Sequence, residues 1–227
     1  MKASFASSLG VMAVALVLAA APASAQETEG KVQIKGFVTG VLPDGGIETV
    51  NTDLIGLPAG SDTRATDTFM PTVAVEYFVS PNFSIETICC VTPHDVRGEG
   101  GLAGAELIDN AIILPATVTA KLHFELADGF KPYLGAGPSY FFIFGEDVGA
   151  DAALLGATDV DLSDELGFAL QAGADFRLND NGLGLSVDAK RYFIGTTATF
   201  EAGNAVALQT EHDLDPWVVS AGLSYRF

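Results

Sequence analysis

The sequence has few cysteines, few basic residues and, beyond its first residues, no long hydrophobic run. Its 2 cysteines among 227 residues are the neighbours Cys89 and Cys90. A bridge between adjacent residues is strained, and exported proteins held by disulfides space their cysteines along the chain. We therefore expect no structural disulfide, no metal site from this pair and no cofactor.

Basic residues are outnumbered, with 11 Lys and Arg against 29 Asp and Glu and a formal net charge of −18 at pH 7. Proteins that bind nucleic acid neutralise phosphates with Lys and Arg. This balance excludes nucleic acid as an expected partner.

The one sustained apolar run lies at the start of the chain. Lys2 precedes an apolar core from Val11 to Ala21, and a small-x-small site follows at Ala23 to Ala25. This pattern predicts a signal peptide over residues 1–25 and a mature chain of residues 26–227. No later stretch reaches the roughly 20 apolar residues of a spanning helix, so membrane entry would require strands.

The last segment of the chain alternates strictly. One face carries Trp217, Val219, Ala221, Leu223, Tyr225 and Phe227, whereas the intervening residues are small or polar. Ten steps of about 3.3 Å, tilted near 40°, cover roughly 25 Å along a barrel axis, which is the height of the lipid-facing band of an outer-membrane barrel. The segment therefore fits a bilayer wall with aromatic residues near both interfaces.

The same alternation between turn signals predicts eight strands. They are approximately Lys31–Leu42, Thr68–Val79, Asn82–Val91, Ile113–Leu126, Lys131–Phe144, Leu166–Leu178, Leu183–Phe200 and Asp215–Phe227. The predicted fold is all-β, a single eight-stranded antiparallel up-and-down transmembrane β-barrel.

The connections between these strands alternate in length. Three are short turns, and four are long, acidic and rich in glycine, near 43–67, 92–112, 145–165 and 201–214. This alternation is typical of an even-stranded outer-membrane barrel with both termini in the periplasm. The four long loops are predicted to be extracellular, with a short helix over residues 150–155.

The strand faces opposite the apolar ones carry charges of both signs. By alternation the lumen is lined by Lys35, Glu76, Glu86, Lys121, His123, Glu125, Asp175, Arg177, Asp188, Lys190 and Arg226. Eight strands leave an interior just wide enough for side chains or one small ligand. These residues are expected to pair as an ionic plug, with a selective ion path as the alternative.

The upper strand ends and the loops contain apolar residues that could line a pocket at the extracellular end. The candidates are Leu54, Ile55, Leu57, Phe142, Phe144, Leu154, Leu155 and Phe193. An aromatic girdle with ordinary loop packing explains them equally well. Pro71, Pro115 and Pro138 lie within strands and cannot donate to the ladder, which suggests a sideways opening at one of them.

Specific strings add to this pattern. They are Val75 to Glu86, Val91 to Asp95, Leu114-Pro115-Ala116-Thr117, Lys131 to Gly137 and Asp215-Pro216-Trp217 running to Tyr225-Arg226-Phe227. In order and spacing, over essentially the whole mature chain, they resemble the outer membrane protein W (OmpW) family.

That resemblance implies a monomeric barrel in the bacterial outer membrane, in contact with outer-membrane lipid and lipopolysaccharide. It implies a narrow apolar cavity that admits small hydrophobic molecules and releases them sideways. His94-Asp95 stands where a family motif lies, and either anchors a loop by a hydrogen bond or contacts a ligand or metal.

Three other functions compete with this one. An outer-membrane enzyme would need an activated serine with a histidine and a carboxylate, and the histidines offer no convincing serine partner, so we expect no catalytic residue. A structural or adhesive barrel would show no saturable binding. A soluble barrel of lipocalin type would place its apolar faces inside.

Overall fold

The computed structural model describes residues 30–227, which form fifteen strands and one short helix. They are β1 Val32–Leu42, β2 Ile47–Asp53, β3 Ser61–Ala65, β4 Thr68–Ser80, β5 Phe83–Cys89, β6 Thr92–Gly100, β7 Glu106–His123, β8 Phe130–Phe144, β9 Asp147–Val148, α1 Ala150–Leu154, β10 Asp159–Leu162, β11 Glu165–Arg177, β12 Leu183–Phe193, β13 Gly195–Ala202, β14 Ala205–Asp213 and β15 Trp217–Arg226. Within this range no helix is long and apolar enough to cross a membrane. The predicted signal peptide, residues 1–25, lies outside the described residues.

Eight strands close into an antiparallel barrel in the order β1, β4, β5, β7, β8, β11, β12 and β15. The last strand pairs with the first, with Gln33 opposite Arg226 and Leu42 opposite Trp217. The predicted eight-stranded barrel is therefore confirmed, with two differences in the strands. β7 begins seven residues earlier than predicted, and the strand predicted to end at Phe200 divides at Ile194 into β12 and β13.

The two faces of the barrel wall differ as the alternation predicts. In β15, the side chains of Val219 and Leu223 are 40% and 55% exposed, whereas those of Ser220 and Ser224 are 6% and 4% exposed. Apolar side chains cover the outside, and polar ones fill the inside. A soluble β-barrel has the opposite arrangement, so the outer face suits acyl chains.

The four long connections contain more regular structure than the predicted loops. β2, β14, β13 and β10 form a second antiparallel sheet above the barrel, and β3 pairs with β6, which extends along the upper half of β7. The short predicted helix is present as α1. Glycine and aspartate mark the turns in these segments, but short alternating stretches such as Thr196, Ala198 and Phe200 bury one face and form strands.

The barrel wall is interrupted between β5 and β6. The ladder of β4 with β5 ends at Val73 opposite Cys89, and the ladder of β5 with β7 ends at Ile88 opposite Thr117. If the two ladders continued in register, Pro71 would stand opposite Val91 and Pro115 opposite Cys90. Cys90 and Val91 belong to no strand. Neither proline has an N–H to donate. We call Cys90 and Val91, with their two flanking prolines, the seam.

Candidate functional site

The middle of the barrel is closed by a buried ionic cluster, which we call the plug. Lys35 Nζ lies 2.7 Å from Glu76, 3.2 Å from Glu86 and 3.2 Å from Asp175. Lys121 Nζ lies 2.9 Å from Glu76 and 2.8 Å from Glu86. Each ammonium group therefore has at least two carboxylate partners, which compensates the cost of removing it from water.

A second set of contacts extends the plug across the lumen. Lys190 Nζ lies 3.1 Å from Glu86 and 2.7 Å from Asp188. Gln171 donates to Glu86 at 2.8 Å and to Asp188 at 2.6 Å, and the Tyr133 hydroxyl donates to Asp188 at 2.7 Å. Glu86 thus joins both halves of the cluster.

His123 belongs to the plug but not to a catalytic relay. Its Nε2 lies 2.9 Å from Glu76 Oε1 and 2.8 Å from Ser84 Oγ, and Ser84 donates to the same Glu76 oxygen. In a relay the serine and the carboxylate bind opposite ring nitrogens. Here one nitrogen serves both, and Nδ1 has no partner among the described residues.

The structure buries seven of the eleven predicted lumen residues: Lys35, Glu76, Glu86, Lys121, His123, Asp188 and Lys190. Asp175 joins them at the edge of the plug, with its side chain 13% exposed.

Glu125 and Arg177 were predicted to lie inside the lumen, but their side chains are 55% and 43% exposed. With Arg226, half-buried over the Phe78 ring, they line an open vestibule of about 560 Å³ at the short-turn end. Alternation assigns a side chain to a face, but it does not say whether the barrel extends far enough to enclose it.

The upper barrel and the second sheet enclose a cavity of about 130 Å³, which we call the large cavity. Its wall is mostly apolar and includes Val96, Leu107, Ile108, Ile143, Ala198 and Phe200. These side chains come from β6, β7, β8 and β13. A cavity near 150 Å³ with such a lining holds a molecule the size of benzene.

The prediction of pocket residues was partly wrong. Ile55, Leu57 and Leu155 line the large cavity, but Leu54, Phe142, Phe144, Leu154 and Phe193 do not. Phe142, Phe144 and Phe193 are 41%, 46% and 46% exposed on the outer face.

Both faces of these strand ends are apolar, so composition did not distinguish the inner from the outer residues. Continuing the alternation upward from buried Tyr133 would have identified Phe141 and Ile143 as the inward pair.

A smaller cavity of about 30 Å³ lies between the large cavity and the plug. We call it the small cavity. It is bordered by Ile88, Cys90 and Pro115 at the seam, and it shares His94 and Ile113 with the large cavity. The two cavities therefore meet at these shared residues, and the small one adjoins the seam.

Hydroxyl groups separate the small cavity from the plug. Thr39 Oγ1 lies 2.6 Å from the Thr72 hydroxyl and 2.8 Å from that of Ser220. On the other side of the lumen, the Thr117 and Ser139 hydroxyls are 2.7 Å apart. These groups satisfy one another, so the layer closes the barrel without unpaired polar atoms.

Two histidines lie in the wall of the large cavity. His212 Nδ1 is 3.1 Å from the Thr63 hydroxyl, and its Nε2 is 2.6 Å from that of Thr210. Burial lowers the pKa of His212 to about 4, against the opposing effect of Asp62. Burial also lowers the pKa of His94, although its bond to the Thr66 carbonyl opposes this. Both rings are therefore neutral near pH 7.

Comparison with known proteins places this arrangement in a family. The profile of the OmpW family matches residues 28–227. Outer membrane protein W of Vibrio cholerae is 30% identical over 220 residues, which cover 95% of this chain and 97% of that protein. The outer-membrane protein y4mB of Sinorhizobium fredii is 31% identical over 182 residues, or 80% of this chain and 76% of that one.

Solved structures show the same fold. The crystal structure of OprG from Pseudomonas aeruginosa superposes with a TM-score of 0.77 at 24% identity, covering 88% of this chain and 96% of that chain. The barrel, its apolar outer face and these relatives define an outer-membrane β-barrel protein. The chain belongs to the OmpW family.

Proposed function

We propose that the protein binds small hydrophobic molecules in the large cavity and passes them sideways through the seam into the membrane. One observation supports this above the others. The apolar large cavity shares wall residues with the small cavity, the small cavity borders an interruption of the barrel wall, and the plug closes the axial route. The free energy of an apolar solute falls when it leaves water for such a lining, whereas that of an ion rises.

The seam favours a sideways route because parting strands there breaks few backbone hydrogen bonds. Unsatisfied backbone groups are costly within a bilayer, which normally keeps barrel walls closed. Val91 already lies outside the ladders, and Pro71 and Pro115 have no N–H to leave unpaired. Ile88 and Cys90 give the opening an apolar lining.

In this proposal the long-connection end faces the outside of the cell. Residues 1–25 act as the signal peptide, and the mature barrel works as a monomer in contact with lipid and lipopolysaccharide. The Ser84, His123 and Glu76 group then serves packing rather than acyl transfer, since its geometry lacks a relay.

The test is uptake of 4-fluorotoluene by vesicles whose outer leaflet is lipopolysaccharide, followed by fluorine NMR. Ala198→Phe fills the large cavity, since Ala198 is 2% exposed in its wall, and should reduce saturable uptake severalfold. Ala205→Phe adds the same ring at the exposed start of β14 and should leave uptake unchanged. Equal, non-saturable uptake by all three proteins would refute the proposal and favour a structural or adhesive role.

A further inference from the structure

His94 lies where the large and small cavities meet, and one of its nitrogens has a fixed role. Nδ1 lies 2.7 Å from the Thr66 carbonyl oxygen. A carbonyl oxygen can only accept, so Nδ1 carries the hydrogen of the neutral ring. Nε2 is then a hydrogen-bond acceptor with a free lone pair.

No described residue donates to this acceptor, although His94 is only 3% exposed and lines both cavities. The other polar side chains buried in the wall of the large cavity have protein partners. Thr63 and Thr210 bond His212, and Thr196 donates to the Ser163 carbonyl at 2.9 Å. Asp213 lies at the solvent-exposed rim. His94 Nε2 is not one of the fully enclosed atoms that lack a partner among the described residues, so it is reachable from the cavities, and a ligand hydroxyl can donate to it there.

We propose, on the basis of the function proposed above, that the cavity recognises uncharged apolar molecules with one hydroxyl group, which donates to His94 Nε2. Phenols and short alcohols belong to this class. His94 is then a specificity residue of the solute site, and the apolar wall binds the rest of the molecule.

The surroundings of His94 hold its ring in place before a solute binds. The Asp95 N–H donates to the Thr66 hydroxyl at 3.0 Å, and the Thr68 hydroxyl donates to the Pro93 carbonyl at 2.8 Å. These bonds fix the backbone on both sides of His94. A fixed acceptor binds a donor without further ordering of the protein, which favours affinity.

The same geometry disfavours charged solutes. A carboxylate would bring acceptor oxygens to an acceptor nitrogen, and a neutral ring does not balance an ammonium ion. Either charge would also be buried in an apolar lining. The site therefore separates phenols from benzoates and anilinium ions as well as from hydrocarbons.

The experiment compares 4-fluorophenol with 4-fluorotoluene, which differ by a hydroxyl in place of a methyl group. Fluorine NMR measures binding of each to the full mature chain in vesicles, and Ala198→Phe protein provides the correction for partitioning into lipid. His94→Phe should lower the ratio of phenol to toluene affinity about tenfold, because the hydroxyl then has no acceptor. His94→Gln, whose amide oxygen can accept, should restore part of it.

Three outcomes separate this inference from the function on which it rests. An unchanged ratio in His94→Phe would overturn the role of His94 while leaving the cavity proposal intact. Failure of both probes to bind the wild-type protein would refute the proposed function itself. If His94→Phe binds neither probe, His94→Gln decides: a ratio like that of wild type supports the inference, and a toluene-favouring ratio overturns it.

Discussion

Replacement of Glu86 by glutamine should destabilise the barrel strongly, because this carboxylate joins both halves of the plug. Glu86 is 1% exposed and lies within 3.2 Å of the amino groups of Lys35, Lys121 and Lys190. The substitution keeps the shape but leaves three buried ammonium groups with fewer counter-charges. Removing one member of a buried ionic group costs about 3 to 5 kcal/mol, and we expect Glu86→Gln to lower the free energy of unfolding by that amount.

The measurement is reversible urea unfolding in lipid vesicles, monitored by the fluorescence of Trp217, which is the single tryptophan of the sequence. Trp217 lies on the outer face, so its emission changes when the barrel leaves the lipid. Glu125→Gln is the matched control, because the Glu125 side chain is mostly exposed and its carboxylate lies as far as 3.5 Å from Lys131 Nζ. It should change the unfolding free energy by less than about 1 kcal/mol. Equal effects of the two substitutions would refute the energetic role assigned to the plug.

Two further predictions concern the seam and the second sheet. Pro115→Ala restores a backbone donor facing Cys90 and should slow 4-fluorotoluene uptake severalfold, whereas Pro138→Ala, away from the seam, should not; equal rates would exclude the seam as the route. His212 has a pKa lowered from its ordinary 6.5 to about 4, so its neutral form contributes stability that is present above pH 6.5 and lost as the pH falls toward 4. Between pH of about 7.5 and 5 the loss is about 2 kcal/mol, measured as smaller amide-exchange protection factors in β14 after correction for the intrinsic exchange rate at each pH. His212→Gln should abolish this pH dependence, and its persistence would assign the effect to another group.

The barrel could be predicted from sequence because its signals are local. A strand buried in lipid on one face repeats every two residues, and β15 shows this without interruption from Trp217 to Phe227. A slip of one residue would place Lys121 in lipid, so the facing of β7 is strongly determined. The strand count and the closed order of pairing follow from these patterns.

The upper sheet was harder to predict because its strands are short and their pairing is not local. β2 pairs with β14, about 160 residues later in the chain, and Thr52 stands opposite Gln209. Glycine and aspartate in these segments indicate turns, and the short strands between the turns were therefore predicted as loop. The inclusion of Phe200 in the cavity wall depends on how this sheet covers the barrel.

The sequence alone determined which side chains face lipid and which face inward, because alternation along one strand needs no partner. The tertiary structure decided what lies at each height of the lumen: the plug where long-range pairs meet, the open vestibule below it and the apolar cavities above. It also located the seam, since Pro71 on β4, Pro115 on β7 and Cys90 just after β5 meet only when the ladders of β4, β5 and β7 are in register. Heights and neighbours depend on the pairing register of distant strands, which no single strand encodes.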